Sequence, residues 1–550
     1  MAAHTNSITY PKLVTIILST AFTYHNVMAT SVSIDWPVAT GVTFTFGMVL
    51  WTLFLMYDAH HKPNPPSFLI TLSLLLHTAP AVSLLGAAIA AQKFNDTALV
   101  WFIALTILRY WRTLVNIVFW FKYRIAVATN DFRITSNDCT VIVPTVGPQG
   151  NYSYAEMVAA ILVNRPARLV FSTNTDNAAD DVEKALPAIL ADIATGSSTY
   201  QVQHDLKPMN VTTDIVVVNA GMSNKRQQVV HAFESVGTEI LVMVDDTAIW
   251  HPSFLAATLP AFGSEKVGFV GTRKWVKRLP HPRDLTLPLM TGLWKQYVAG
   301  FWNTIGGLYL IRHNFEVRAT NAADGGVFCV SGRSSLIRTS IVKDALFMEG
   351  FLNEYVLRLG DHFPGWGPVT ADDDNFITRW TISHGWDVKI QSSKEATMTT
   401  TLGTYPLKFP DQCKRWSRTT FRQNPIAIFI DRTVWIKWPL TLWTTYFPWL
   451  YNAALFWDSL AVYTLTQTEL YAQSTNRIVM LCALVGFIWL SKLVKTIPWF
   501  WAYPVDFMLY FVIPAYPLFA YWHSLLKIYT ACTFWDLAWS GRKLPKAHKV

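Results

Sequence analysis

Charge is spread so unevenly along this chain that it divides the molecule before any motif is read. Residues 1–108 and 435–530 carry 14 charged side chains between them, whereas residues 109–434 carry 62. Long runs almost free of charge are what a bilayer-crossing helix requires, while the middle has the charge density of a water-exposed domain. A soluble-type domain held between two membrane regions is therefore expected. Hydrophobic residues make up 51% of the 550, with 24 Trp and 33 Phe; that load excludes a disordered chain and argues against a purely soluble enzyme.

Lys and Arg outnumber Asp and Glu by 45 to 36, but not in the layout of a nucleic-acid binder, which gathers its charge on an arm or a face. Lys122, Arg124 and Arg133 follow an apolar run, and Arg542, Lys543, Lys546 and Lys549 lie in the tail. Cytoplasmic loops carry charge in that way, and no nucleic-acid partner is expected. The five cysteines, Cys139, Cys329, Cys413, Cys482 and Cys532, are scattered. They suggest neither a disulfide framework nor a zinc site, as suits a cytosol-facing central domain.

Spanning candidates lie at 38–57 and 68–91, with a weaker run at 12–30. A further run, 98–121, carries Arg109 and Arg112 near its middle. Intramembrane arginines are costly, so its second half is expected at the interface, and two to four N-terminal spans result. Beyond Trp416 a basic and aromatic stretch precedes apolar runs at 438–466, 477–497 and 501 to about 530, the last a bent helix or a tight hairpin. The division expected is 1–122 for N-terminal transmembrane or interfacial helices, 136–416 for the central domain and 417–434 for an interfacial helix. The remainder is 435–530 for C-terminal transmembrane helices and 531–550 for a cytosolic tail.

Within the middle, CTVIVPTV (139–146), RLVFSTN (168–174), TDIVVVNAG (213–221) and TEILVMVDD (238–246) read as buried strands. Helical stretches such as EMVAAILV and NKRQQVVHAFESV lie between or after them. The alternation predicts an α/β domain with a largely parallel sheet, whose ligands bind at the carboxyl ends of the strands.

The polar residues at those ends carry the chemistry. Asp245 and Asp246 end the fourth strand; paired carboxylates there suit a divalent cation on a diphosphate, the alternative being an acidic loop tip. Asp372, Asp373 and Asp374 open an apparent helix. One of them suffices as a cap, and crowding raises a carboxyl pKa as a general base requires. In QCKRWSRTTFR, Arg415 with Lys414 suits a diphosphate and Trp416 offers a face to a sugar ring, or the stretch is a membrane anchor. In NAADGGVFCVSGRSSLIR, Gly325, Gly326 and Gly332 suit either close approach to a ligand or a tight turn. Lys225 and Arg226 read as phosphate ligands or, taken alone, as a solvated helix face.

In this order the motifs resemble the membrane-integrated, processive family 2 glycosyltransferases, the hyaluronan, chitin and cellulose synthases. The likeness runs from about 136 to 422 and on to Trp539–Arg542, and is nearest to fungal capsular-polysaccharide-synthase-like type 2 glycosyltransferases. The resemblance implies a GT-A (Rossmann-like) domain, facing the cytosol, between N- and C-terminal transmembrane helices of a multi-pass plasma-membrane enzyme. It implies a UDP-sugar donor, a growing polysaccharide acceptor exported through the lipid bilayer, and Mn²⁺ or Mg²⁺. By position, Asp374 matches the catalytic base, with Asp373 beside it. Pro144, Thr145, Asp176, Lys225, Asp245, Arg415, Trp539 and Arg542 fall on the donor side. Cys329, Ser331, Gly332, Gln412 and Trp416 fall on the acceptor side, with Arg338 on the same loop. Asp246, with Asp245, falls on the metal. One departure stands out: Thr247 replaces the second Asp of the usual Asp-x-Asp, and Asp246 is expected to take over the ion. A lipid acceptor, as in ceramide glucosyltransferase-like proteins, is the alternative.

Overall fold

The computed structural model describes residues 36–60, 74–222, 224–279, 284–356, 365–403 and 408–537. Contacts divide the chain into two compact units: Met1–Leu114 with Trp435–Pro439 and Ala454–Trp489, and Val115–Val434 with Leu440–Ala453 and Leu490–Val550.

The first unit is helical. Among the described residues Trp36–His60, Leu75–Lys93 and Thr97–Lys122 are long and apolar enough to cross a bilayer. The run with the mid-helix arginines is unbroken. Thr97–Lys122 is one continuous helix of 26 residues. Its Arg109 reaches Asp458 of the helix Ala454–Thr466 at 3.6 Å, in a cleft otherwise walled by residues such as Phe102, Leu105, Trp457 and Phe487. A charge that is too costly alone is retained because a neighbouring helix supplies its opposite. The helices of two C-terminal runs are shorter. Ala454–Thr466 has 13 residues and Arg477–Ser491 has 15, too few to cross a bilayer as straight helices.

The second unit is built on a nine-stranded sheet. β1 (Cys139–Pro144), β2 (Arg168–Thr173), β3 (Asp214–Asn219) and β4 (Ile240–Val244) form where the β-branched runs predict. β1 and β4 are buried along their whole length, the mark of strands covered on both faces. The sheet also takes in β5 (Ile249–Trp250), β6 (Val267–Val276), β7 (Ser334–Arg338), β8 (Asp387–Gln391) and β9 (Thr397–Thr400). The order is β3-β2-β1-β4-β7-β6-β9-β5, with β8 also on β6. It is mixed rather than largely parallel. β3, β2, β1 and β4 run parallel, but β7 is antiparallel to both β4 and β6. The reversal matters for function: β7 begins where β4 ends, so the Cys329–Arg333 loop arrives beside Asp245 and Asp246. The Asp245 amide closes the junction by donating to the Arg333 carbonyl at 2.9 Å.

Two helices bracket that edge. Leu289–Asp324, 36 residues long, precedes the loop and stops at Gly325, whose φ of +79° favours glycine. Lys408–Pro425 carries the QxxRW motif and runs straight through the boundary expected between 416 and 417. The motif and the first half of the segment 417–434 are thus one element. Pro504–Val512 and Ala515–Ala531 form the last apolar run, bent by 54° rather than folded into a tight hairpin.

Candidate active site

Four chain segments bring their acidic and basic residues to the one sheet edge. Lys225 opens the helix Lys225–Ala232 after β3, and its Nζ lies 2.9 Å from Asp245 Oδ1 and 3.0 Å from Asp373 Oδ2. It therefore ties the end of β4 to the acidic turn before the helix Asp373–Ser383. Neither Lys225 nor Arg226 lies on a solvated face. Arg226 is 1% exposed and donates to the Ala371 carbonyl at 2.9 Å and to Glu354 at 2.6 Å.

The acidic turn separates three carboxylates that look equivalent in sequence. Asp372 occupies the N-cap position but caps nothing, because its carboxylate turns away to Arg422. Asp373 takes Lys225. Asp374 accepts from the Gly332 amide at 3.2 Å and from the Asn375 amide and side chain at 2.9 and 3.2 Å. Among the described residues no cation pairs with Asp374. Burial and the neighbouring Asp373 anion push its carboxyl above the usual carboxylate range, against the pull of Lys225. Asp245 is the converse: burial raises it, but Lys225, Arg333 and Arg415 hold it below that range.

Gly332 is where a side chain would be crowded. A Cβ there would lie 3.3 Å from the Asp373 carboxylate and from Asp374 Cβ, and 3.4 Å from Lys225 Nζ. Close approach, rather than a tight turn alone, explains this glycine; Gly325 serves the helix end. Cys329 is buried, and its thiol is pushed well up by burial and by Asp374. Ser331 Oγ accepts from the Arg333 amide at 3.5 Å. Arg338 lies at the far end of β7, ion-paired with Glu239 at 2.6 Å, and has no part in this edge.

On the other side of Asp245, Pro144 ends β1 and Thr145 Oγ1 donates to Asp246 Oδ2 at 2.9 Å. Asn151 Nδ2 donates to the Asp246 carbonyl at 2.7 Å, and both bonds fix the turn that presents the second carboxylate. Asp176 accepts from Asn219 at 2.5 Å, after β2 and thus about 10 Å along the sheet from β4; it is not in the Lys225 cluster.

Asp245 and Asp246 offer hard oxygen donors of the kind Mg²⁺ and Mn²⁺ prefer. Among the described residues no group of three His, Cys, Asp or Glu side chains is arranged to hold a metal. The pair fits such an ion only where a bound diphosphate supplies further oxygens, the usual arrangement for Mg²⁺.

Trp416 is less open than expected. Tyr309 stacks on it at 5.4 Å, and the Arg333 guanidinium lies over its ring at 5.2 Å. Phe409 and Phe519 pack around Tyr309, and the Arg312 guanidinium sits over the tyrosine ring at 4.8 Å. Gln412 lies one turn before Trp416 on the same helix. Behind the loop, Lys274 Nζ meets His313 Nδ1 at 2.5 Å, and burial pushes the lysine down to about 7. Trp539 and Arg542 lie outside the described residues.

Tyr309 and Asn151 escape a reading of the sequence, since neither belongs to a charged or glycine-rich motif; Asn375 directly follows the acidic triplet and Arg422 closes QCKRWSRTTFR, so both could have been found there. Arg333 stands inside the SGRSS stretch and could have been found there.

The sequence pattern described as glycosyltransferase like family 2 matches residues 137–419. A type 2 glycosyltransferase of Pyricularia oryzae is 31% identical over 461 residues, covering 80% of this chain and 82% of that one. A type 2 glycosyltransferase of Zymoseptoria tritici is 31% identical over 447 residues, covering 80% and 83%. Among solved structures, the mannosyltransferase PcManGT of Pyrobaculum calidifontis, in complex with GDP-Man and Mn²⁺, aligns with a TM-score of 0.42 at 14% identity. The alignment covers 78% of this chain and 97% of that one.

Proposed function

The chain belongs to the family 2 glycosyltransferases, and from that premise we propose an inverting enzyme that adds sugars from a UDP-sugar to the end of a growing polysaccharide. The observation that carries the proposal is Asp374: half-buried, oriented by Gly332 and Asn375, and beside a second anion that strengthens its hold on a proton. In the reaction the acceptor hydroxyl oxygen attacks the anomeric carbon as the bond from that carbon to the diphosphate oxygen breaks. The hydroxyl proton passes to the Asp374 carboxylate, and direct displacement inverts the anomeric centre.

Lys225 and Arg415 receive the charge that develops on the leaving diphosphate. Asp245 and Asp246 would hold a divalent cation, whose chemistry there would be to neutralise the leaving group. Pro144 and Thr145 border the uracil, with Asp176 at its outer edge. On the acceptor side, the Cys329–Gly332 loop, Gln412 and Trp416 meet the terminal sugar, and Tyr309 stacks on Trp416 with the buried Phe409 and Phe519 behind it. A sugar polymer suits such a stack because each ring presents a C–H face to an aromatic one. The three helices of bilayer-spanning length support a multi-pass enzyme, and the basic residues after the last of them, Lys122, Arg124 and Arg133, favour a catalytic unit towards the cytosol. Trp539 and Arg542 approach the donor by resemblance alone.

The test is nucleotide release by purified protein across a panel of UDP-sugars, with and without Mn²⁺, followed by sizing of the product. A polydisperse polymer is expected. A discrete glycolipid would replace the polysaccharide acceptor with a lipid one, and release from GDP-sugars alone would replace the donor.

A further inference from the structure

Asp372 adopts φ +61° and ψ +30°, the left-handed conformation that side chains other than glycine seldom hold. A carboxylate at that position ordinarily bonds the amides of the helix it opens, which lowers the cost of the turn. Here it gives up those bonds. Arg422 Nε donates to Asp372 Oδ2 at 2.7 Å and its Nη2 to Oδ1 at 2.9 Å, while Thr419 Oγ1 donates to Oδ1 at 2.5 Å. Both partners are almost inaccessible, with side chains 2% and 1% exposed.

The rest of the Arg422 fork is also used. Its Nη1 donates to the Phe534 carbonyl at 2.6 Å and to that of Asp536 at 3.3 Å. One turn earlier, Arg418 pairs with the Asp536 carboxylate at 2.6 Å. From the opposite side Arg226 grips the carbonyl of Ala371 at 2.9 Å. Residues 371 and 372 are thus held between two buried guanidiniums, and the next two residues are Asp373 and Asp374.

We infer that Arg422 is a positioning residue whose two-pronged clasp on Asp372 sets the register between Asp374 and Arg415, and this rests on the roles proposed above for those two. Arg415, Thr419 and Arg422 are spaced at i, i+4 and i+7, so they lie along one face of the Lys408–Pro425 helix. That face carries the diphosphate ligand at one end and the clasp on the acidic turn at the other. A displacement at the clasp therefore changes the distance between the group that receives the leaving charge and the group that takes the proton. Lysine cannot replace the clasp, because an ammonium lacks the planar pair of donors that matches a carboxylate.

The test uses full-length purified R422K and R422M with nucleotide release, donor affinity and thermal melting as readouts. kcat is expected to fall by about a hundredfold in R422M and about tenfold or more in R422K. Donor KM should stay within about twofold when kcat is normalised to the folded fraction given by thermal melting and donor-binding stoichiometry, because a loss of folded enzyme alone would also lower apparent kcat at constant KM. The double variant D372G/R422M should recover at least about tenfold over R422M, since glycine adopts the left-handed turn unaided. If R422M does not fold, R422K decides: wild-type kcat in R422K overturns the inference. D374N separates the two readings. D374N that turns over normally removes the assigned base and this inference with it. Inactive D374N beside fully active R422K removes the clasp alone.

Discussion

Two acidic regions, one buried and one half-buried, meet at the turn 371–374, and they treat charge in opposite ways. Around Asp372 and Glu354 every carboxylate has a guanidinium. Arg422 forks Asp372, Glu354 is shared by Arg226 and Arg379, and Arg379 also reaches Asp431 at 2.7 Å. Around Asp374 the account does not balance. Lys225 is divided between Asp245 and Asp373, and Asp374 is left with uncharged donors. Matched pairs hold a shape, whereas an unmatched carboxylate holds a proton affinity. The difference separates the part of the turn that carries the fold from the part that does chemistry.

The largest expected effect breaks the comparison at its reactive end. Asp374→Asn should cut nucleotide release by about a thousandfold with the donor still bound, the size of a lost general base. Donor titration beside initial-rate measurements would check it.

The second prediction sets the two regions against each other in stability. Asp372 lies below the ordinary carboxylate range: burial raises it, but Arg422 and Thr419 overcome that. Its contribution to stability is present above the unfolded pKa and is lost as pH falls through the folded one. Asp372→Asn should therefore cost about 3 kcal/mol at neutral pH, as breaking a buried pair does. Asp374 lies above its ordinary range, so its ionised form weakens the fold at neutral pH. Asp374→Asn should raise Tm by about 2 °C or more, and equal shifts of one sign in both variants would erase the distinction drawn here.

Lys225→Ala removes the one cation that joins the donor and base sides. It should weaken donor binding about tenfold, comparable with the loss of a charge-assisted hydrogen bond. It should also move the acid limb of the kcat profile to higher pH, because Lys225 holds Asp374 down. Trp416→Ala should raise acceptor KM by about tenfold and leave donor KM alone. The smallest effect belongs to Asp373→Asn. Losing that anion lowers the pKa of Asp374, so the acid limb of kcat should shift to lower pH. A shift to higher pH would mean that Asp373 acts chiefly through Lys225.

Much of the second unit was legible from local pattern. β1 to β4 fall inside the four β-branched runs, and Asp245, Asp246, Lys225 and the acidic turn stand at strand or helix ends where alternation of strand and helix puts them. Those properties follow from the order of residues within ten or so positions, which sequence records directly. Illegible was whatever depended on partners far along the chain. The reversal of β7 arises from pairing between β4 and β7, about ninety residues apart. The partner of Arg109, Asp458, lies about 350 residues away, and the enclosure of Trp416 depends on Tyr309 and Arg333.

The triple acid is the sharpest instance. By itself the sequence determined that three carboxylates would crowd a helix start near a strand-end pair. Only the tertiary structure decided which one is neutralised by a guanidinium, which by a shared lysine and which by neither. The reason is physical: a carboxylate's affinity for protons is set by burial and by charges within a few ångströms, and those charges arrive from helices and strands that the local sequence does not contain.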